Sequence, residues 1–282
     1  MSSTICASCT GLSIDKPVKS SPAKKPQWLD DRDHVSEFIA TYPDCKLKKQ
    51  TQYTQQFDVE VGRAHQGKHL LYWAAQSCSA LKANDAKTAY GSFRNHGVSK
   101  VDSKGNVRVY LQCPQPYKTK KKGETTPTTF YRHFHYVLSN SEKTSWTTQI
   151  YTKMVSCELN YNDLIDTIRK GTAVVLNVLP PEYYGKDHIP NTYNLPVKTV
   201  QRMKVDESKV WLSDVIGRHY PVLHKALQSK TITLKEVPIV CYCAHKDCNA
   251  SELASIALMK KGFVRVDEYK GGMKEYNNKT KN

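Results

Sequence analysis

Long apolar runs are missing from this 282-residue chain. None approaches the ~20 residues that a helix needs to cross a bilayer, so a helical membrane span is excluded. The first residues also lack the apolar stretch of a secretion signal, and the chain reads as soluble and intracellular, with a cytoplasmic setting expected. Its nine cysteines are too scattered for a disulfide scaffold, and their odd number leaves at least one thiol in any monomer. A reducing compartment fits this usage best. There is no internal repeat and no recognised nucleic-acid-binding motif. Acidic residues are in deficit, 26 Asp and Glu against 42 Lys and Arg, giving a formal net charge of +16. The imbalance is concentrated early, with 23 basic and 12 acidic residues up to Val155 and 19 and 14 beyond it. Lys118, Lys120, Lys121 and Lys122 form the densest basic run. Such a run can meet an acidic protein or a nucleic-acid backbone, and it is equally the signature of a solvated loop.

The length allows about two cores. Residues 1–27 are rich in Ser, Lys and Pro and read as a flexible basic tail. Cys6 and Cys9 lie there as a single C-x2-C pair without a second pair to complete a zinc site, so two unrelated thiols are the simpler reading. Residues 28–155 carry short aromatic and β-branched runs between turn residues: His69 to Trp73, Val107 to Leu111, Phe130 to Leu138 and Trp146 to Tyr151. Asp102-Ser-Lys-Gly105 has the composition of a hairpin turn between two of them. This pattern predicts an antiparallel β-sandwich. Residues 156–282 form a second, α/β domain, introduced by Leu159, Leu164, Ile165 and Ile168 on a short amphipathic helix.

The segment Pro238 to Tyr276 is the most informative. Val237 to Tyr242 reads as a buried strand, Ala244 to Ala250 as a tight loop, and Ser251 to Lys261 as a helix ended by Gly262. Cys243 falls at the strand's carboxyl end, where loop and helix amides are expected to point inward and stabilise a thiolate or a bound anion. His245 and Lys246 are the loop's cationic or potentially cationic groups. Cys248 is placed to close a disulfide with Cys243 and so resolve a persulfide or sulfenate there. Cys241, Cys243, His245 and Cys248 also have zinc-ligand character. Phosphatase chemistry is discounted, because the bidentate arginine it needs six residues after the cysteine is Asn249 here. The bland alternative is a Cys243 that merely fills space.

These residues carry a resemblance. Ile239-Val-Cys-Tyr-Cys243, the loop to Ala250, and Tyr269-Lys-Gly-Gly-Met-Lys-Glu-Tyr276 resemble the second half of a rhodanese domain. Ala173 to Val178, Pro181-Glu-Tyr183, His188-Ile-Pro190 and Asn194-Leu-Pro196 resemble its first half. The resemblance implies a parallel-sheet sulfurtransferase fold in which Cys243 takes sulfane sulfur as a persulfide and hands it to a thiol or other thiophilic acceptor, with no cofactor required. The aspartate and arginine usual after that family's first strand are Asn177 and Leu179 here, and the loop lacks the usual arginine and glycine.

In the first domain, His133 and His135 alternate with Phe134 on a strand, so both imidazoles project to one face and can share a metal. Tyr117 follows the rigid Cys113-Pro-Gln-Pro turn, and one oxygen with two nitrogens suits iron or copper. Val101 to Gly105, Pro114-Gln-Pro-Tyr117, Arg132-His-Phe-His-Tyr136 and Trp146 to Tyr151 resemble the core of intradiol ring-cleavage dioxygenases. That resemblance implies ferric iron held by Tyr117, His133, His135 and, by order along the chain, Tyr90. The lysine-rich loop after Tyr117 replaces a catechol pocket, so ring cleavage itself is not expected. The competing reading has the two histidines hydrogen-bonded on a surface strand. Two function classes follow: a sulfurtransferase fused to a dioxygenase-like sandwich, and a non-enzymatic assembly protein built from worn-down catalytic folds, such as a component of a large DNA virus particle.

Overall fold

The computed structural model describes residues 45–119 and 125–281, so Cys6, Cys9, Lys120, Lys121 and Lys122 lie outside the described residues. These fall into two compact units, one running to Val155 and the other beginning at Ser156.

The first unit contains β1 (Gln55–Glu60), β2 (His69–Ala74), β3 (Asn84–Asp85), helix α1 (Ala86–Tyr90), β4 (His96–Lys100), β5 (Asn106–Leu111), β6 (Tyr117–Thr119), β7 (Thr128–Phe130), β8 (His133–Leu138) and β9 (Tyr151–Met154). Its centre is an antiparallel sheet in the order β4-β2-β8-β9. Side chains alternate across a strand, so β2 sends Leu70, Tyr72 and Ala74 one way and Leu71 and Trp73 the other. The first set packs with Phe134 and Tyr136 against Val59, Val107, Val109 and Leu111 of the antiparallel pair β1-β5. The second set packs against Ala86, Ala89 and Tyr90 of α1 and against Tyr117. Because both faces are covered, β8 is buried along its whole length and shows no apolar-polar alternation.

Three expectations need correction here. Asp102 to Gly105 is a tight turn, with Asp102 Oδ1 accepting from the amides of Lys104 and Asn106 at 2.8 Å each. It does not make a hairpin, however: β4 before it pairs with β2 and β5 after it pairs with β1, so the turn is a corner between two sheets. The Trp146 to Tyr151 strand begins only at Tyr151, since the preceding residues are spent on a bridge between Ser139 and Trp146 and a connecting loop. Cys113 is disulfide-bonded, which departs from uniformly reduced cysteine chemistry.

The second unit holds β10 (Val174–Asn177), β11 (Tyr193–Asn194), β12 (Ile239–Tyr242) and β13 (Val266–Tyr269), all parallel in the order β11-β10-β12-β13. The helices are α2 (Tyr161–Lys170), α3 (Pro181–Lys186), α4 (Val197–Arg202), α5 (Val205–His219), α6 (Pro221–Gln228), α7 (Ala250–Lys260) and α8 (Gly272–Thr280). The start of α2 is fixed by Asn160, whose side chain accepts from the Asp163 amide at 2.9 Å, and its end by Gly171 in the left-handed region. After β10 the chain steps outward to the edge strand β11, then returns to the other side of β10 to lay down β12. That reversal falls between β10 and β12, and the carboxyl ends of strands at such a reversal are where open α/β sheets bind ligands. The first residue beyond β12 is Cys243. Among the described residues, no helix is long and apolar enough to cross a membrane.

Candidate functional site

Cys241 and Cys243 face the same side of the sheet, toward α7, and Tyr242 between them faces the other. Tyr242 is tied to the turn after α3: its hydroxyl accepts from the Ile189 amide at 3.1 Å and lies 2.9 Å from Thr192 Oγ1. The His188-Ile-Pro190 segment is thereby fixed to the strand that delivers the cysteine. Cys241 is a core residue, its thiol pushed up to about 12 by burial, with the Ser255 hydroxyl opposing.

Cys243 does not lie in an open cradle, as the sequence led us to expect. Its exposure is 0%. Its sulfur lies 3.3 Å from the carbonyl oxygen of Cys248, 3.6 Å from Ser251 Oγ and 3.8 Å from the carbonyl oxygen of His245. Two carbonyls in that shell favour S–H over S⁻. The thiol is raised above its ordinary value, first by its hydrogen bond to the Cys248 side chain and then by burial, while the Ser251 hydroxyl and amide pull the other way. Cys241, Cys243 and Cys248 are all reduced thiols.

The cations expected to offset this do not reach the sulfur. Lys246 is exposed, and His245 Nδ1 sits 4.0 Å from Asp247 Oδ2 at the loop surface. Asn177 and Leu179 bring no charge either: the Asn177 carbonyl side chain accepts from the Leu179 amide at 2.9 Å, and Leu179 is buried. Nor, among the described residues, do Cys241, Cys243, His245 and Cys248 converge as a metal site. Because thiolate is the minority species at neutral pH, alkylation of Cys243 by iodoacetamide is expected to rise up to about tenfold per pH unit, with no plateau below about pH 9. Peptide mass spectrometry across a pH series measures this. A plateau near neutrality would mean that the thiol is activated.

Residues that sequence reasoning left out surround the loop. Ser251, in the first turn of α7, is 1% exposed and lies beside the sulfur. Gly272 and Met273 clamp the loop from the far side. The Met273 amide donates to the Cys243 carbonyl at 3.0 Å and the Lys274 amide to the Ala244 carbonyl at 2.9 Å. Gly272 has φ +60°, and a side chain there would stand 2.4 Å from the Cys243 carbonyl oxygen. The Gly271-Gly272-Met273 signal was visible in the sequence, and its physical role is this close approach.

In the first unit, the four residues expected around a metal do meet. Tyr117 Oη is 2.9 Å from His133 Nε2, Tyr90 Oη is 3.4 Å from the same nitrogen, and the two hydroxyls are 3.4 Å apart. The His133 and His135 rings are 4.8 Å apart between centroids. Both histidines are buried, which corrects the surface-strand alternative. His133 Nδ1 donates to the Tyr131 carbonyl at 2.6 Å, so Nε2 turns its lone pair to the two phenols. Thr152 Oγ1, 2.7 Å from Nδ1 of His135, orients that ring. Burial holds His133 down to about 4 and drives His135 well below its ordinary range, while Tyr90 is raised by burial and by Tyr117. Tyr90, His133 and His135 are therefore neutral at pH 7.

The family model for the rhodanese-like domain matches residues 160–279. Among solved structures, the BH2092 protein of Bacillus halodurans is similar at 25% identity over 44% of this chain and 74% of that one, with a TM-score of 0.32. The human single-domain sulfurtransferase TSTD1 is 16% identical over 44% of this chain and 98% of its own, with a TM-score of 0.33. The Saccharomyces cerevisiae single-domain sulfurtransferase RDL2 is 14% identical over 47% and 94%, with a TM-score of 0.32. No match was found among curated proteins. Residues before 160 lie outside the family match, and the stretch from 160 to 279 is a rhodanese-like domain.

Proposed function

We propose that the C-terminal unit is a sulfurtransferase in which Cys243 accepts a sulfane sulfur and passes it to a thiophilic acceptor. The observation that carries this reading is the position of Cys243, at the carboxyl end of β12, where the strand order reverses, and ahead of α7. In the first step the Cys243 thiolate attacks the sulfane sulfur of a donor such as thiosulfate. The donor's S–S bond breaks, sulfite leaves with the electron pair, and the thiol proton goes to solvent. In the second step the acceptor takes the outer sulfur and restores the thiolate. The resting loop must open for this, because the carbonyls of His245 and Cys248 now occupy the space around the sulfur. Mass spectrometry of the Cys248→Ser variant after mild thiosulfate treatment tests the reading: one added sulfur is expected on the peptide containing Cys243. Protein that gains none would leave the non-enzymatic assembly role, which the burial of Cys243 favours.

For the N-terminal unit we infer a metal site formed by Tyr90, Tyr117, His133 and His135. The separations of 2.9 to 3.4 Å among Tyr90 Oη, Tyr117 Oη and His133 Nε2 match the spacing of ligands around one ion at bond lengths of about 2 Å, and the His135 ring lies beside that of His133. Oxygen and imidazole donors suit ferric iron. Such an ion would supply Lewis acidity and lower the phenol pKa values, while the Tyr131 carbonyl and Thr152 hydroxyl would hold the imidazoles in register. Elemental analysis of protein purified without chelators is expected to find about one iron per chain, together with a visible tyrosinate charge-transfer band that His133→Ala removes. Colourless, metal-free protein would end this reading.

A further inference from the structure

We propose that Cys248 discharges the Cys243 persulfide within the loop, releasing hydrosulfide and closing a Cys243–Cys248 disulfide that an external dithiol must then reduce. This step rests on the sulfurtransferase reading above. Its basis is the way the loop folds back on itself. The Cys248 amide donates to the His245 carbonyl at 2.9 Å, a turn that brings residue 248 over the strand end. The Cys248 carbonyl oxygen is then 3.3 Å from the Cys243 sulfur, and the two thiols are hydrogen-bonded. Both residues are buried, so the neighbouring thiol reaches the persulfide without diffusing.

The chemistry balances. The Cys248 thiolate attacks Sγ of Cys243, the Sγ–Sγ bond forms, and the bond to the outer sulfur breaks. That sulfur leaves with the electron pair as hydrosulfide, having been reduced, while the two cysteines are oxidised. Exchange with a dithiol returns both thiols and yields the dithiol's own disulfide. The product class is therefore free hydrosulfide, and the partner class is a dithiol reductant.

Full-length reduced protein treated with thiosulfate, with no added thiol, provides the test. Sulfite is the donor's leaving group, so any hydrosulfide comes from the discharge step. The parent protein is expected to end lighter by two hydrogens, with a Cys243–Cys248 cross-linked peptide and one hydrosulfide per chain. Cys248→Ser should instead hold one extra sulfur on Cys243 and release hydrosulfide at least ~10-fold more slowly, and Cys248→Ala should repeat this if the serine variant misfolds. A parent protein that keeps a stable added sulfur and releases no hydrosulfide overturns the discharge step while leaving Cys243 as the sulfur carrier. If neither parent nor variants take up sulfur, both proposals fall.

Discussion

Cys243→Ser is expected to reduce sulfur transfer from thiosulfate to cyanide by at least ~10³-fold, to the background of the assay. The reason is chemical, since a serine hydroxyl neither ionises near neutral pH nor forms a stable bond to sulfane sulfur. The substitution is also conservative for the fold. The residue is buried, oxygen is smaller than sulfur, and the hydroxyl keeps a donor for the Cys248 carbonyl that now lies 3.3 Å from the thiol. Lost activity with an unchanged melting temperature would thus point to chemistry and not to unfolding. Cys248→Ser, in contrast, should still accept sulfur. If Cys243→Ser matched the parent in a sensitive assay, the sulfur would be carried elsewhere and the sulfurtransferase proposal for this loop would be lost.

Gly272→Ala is expected to destabilise the C-terminal unit by roughly 2–4 kcal/mol and to displace the Cys243 loop. Two costs combine. At φ +60° an alanine pays roughly 1–2 kcal/mol for the left-handed conformation. Its methyl group would also meet the Cys243 carbonyl oxygen at 2.4 Å and the Ala244 carbon and His245 nitrogen at 2.8 Å, all backbone atoms that cannot swing aside. Gly217 provides the control. It lies inside α5 with open space where a methyl would go, so Gly217→Ala is expected to be neutral or to stabilise by up to about 1 kcal/mol. Thermal unfolding of both variants measures the contrast. Equal melting temperatures would show that the last helix does not grip the loop.

Local signals and distant ones were not equally legible. The strand, loop and helix around Cys243 could be read almost to the residue, because a continuous apolar run gives way to a helical pattern ended by a glycine, and α7 starts at Ala250, one position before the expected Ser251. What escaped was the direction of the loop's peptide groups. Residues 244–249 name a turn but not which way its carbonyls rotate, and that rotation, fixed partly by α8 some thirty residues later, decides whether the sulfur sees amides or oxygens. The corner at Asp102 to Gly105 failed for a similar reason. Its side-chain-to-backbone hydrogen bonds are the same in a hairpin and in a corner, and only the packing of β4 on β2 and β5 on β1 separates the two. Alternation correctly put His133 and His135 on one face. It could not say that α1 and Tyr117 would cover that face, because the covering residues lie up to 49 positions earlier in the chain.

The two amides that Met273 and Lys274 give to the carbonyls of Cys243 and Ala244 make the last helix a lever on the thiol. Any force, fusion or binding partner that pulls on α8 is transmitted to the sulfur through those two bonds. An affinity handle therefore belongs away from α8, and anything grasping that helix would set how often the Cys243 sulfur sees solvent.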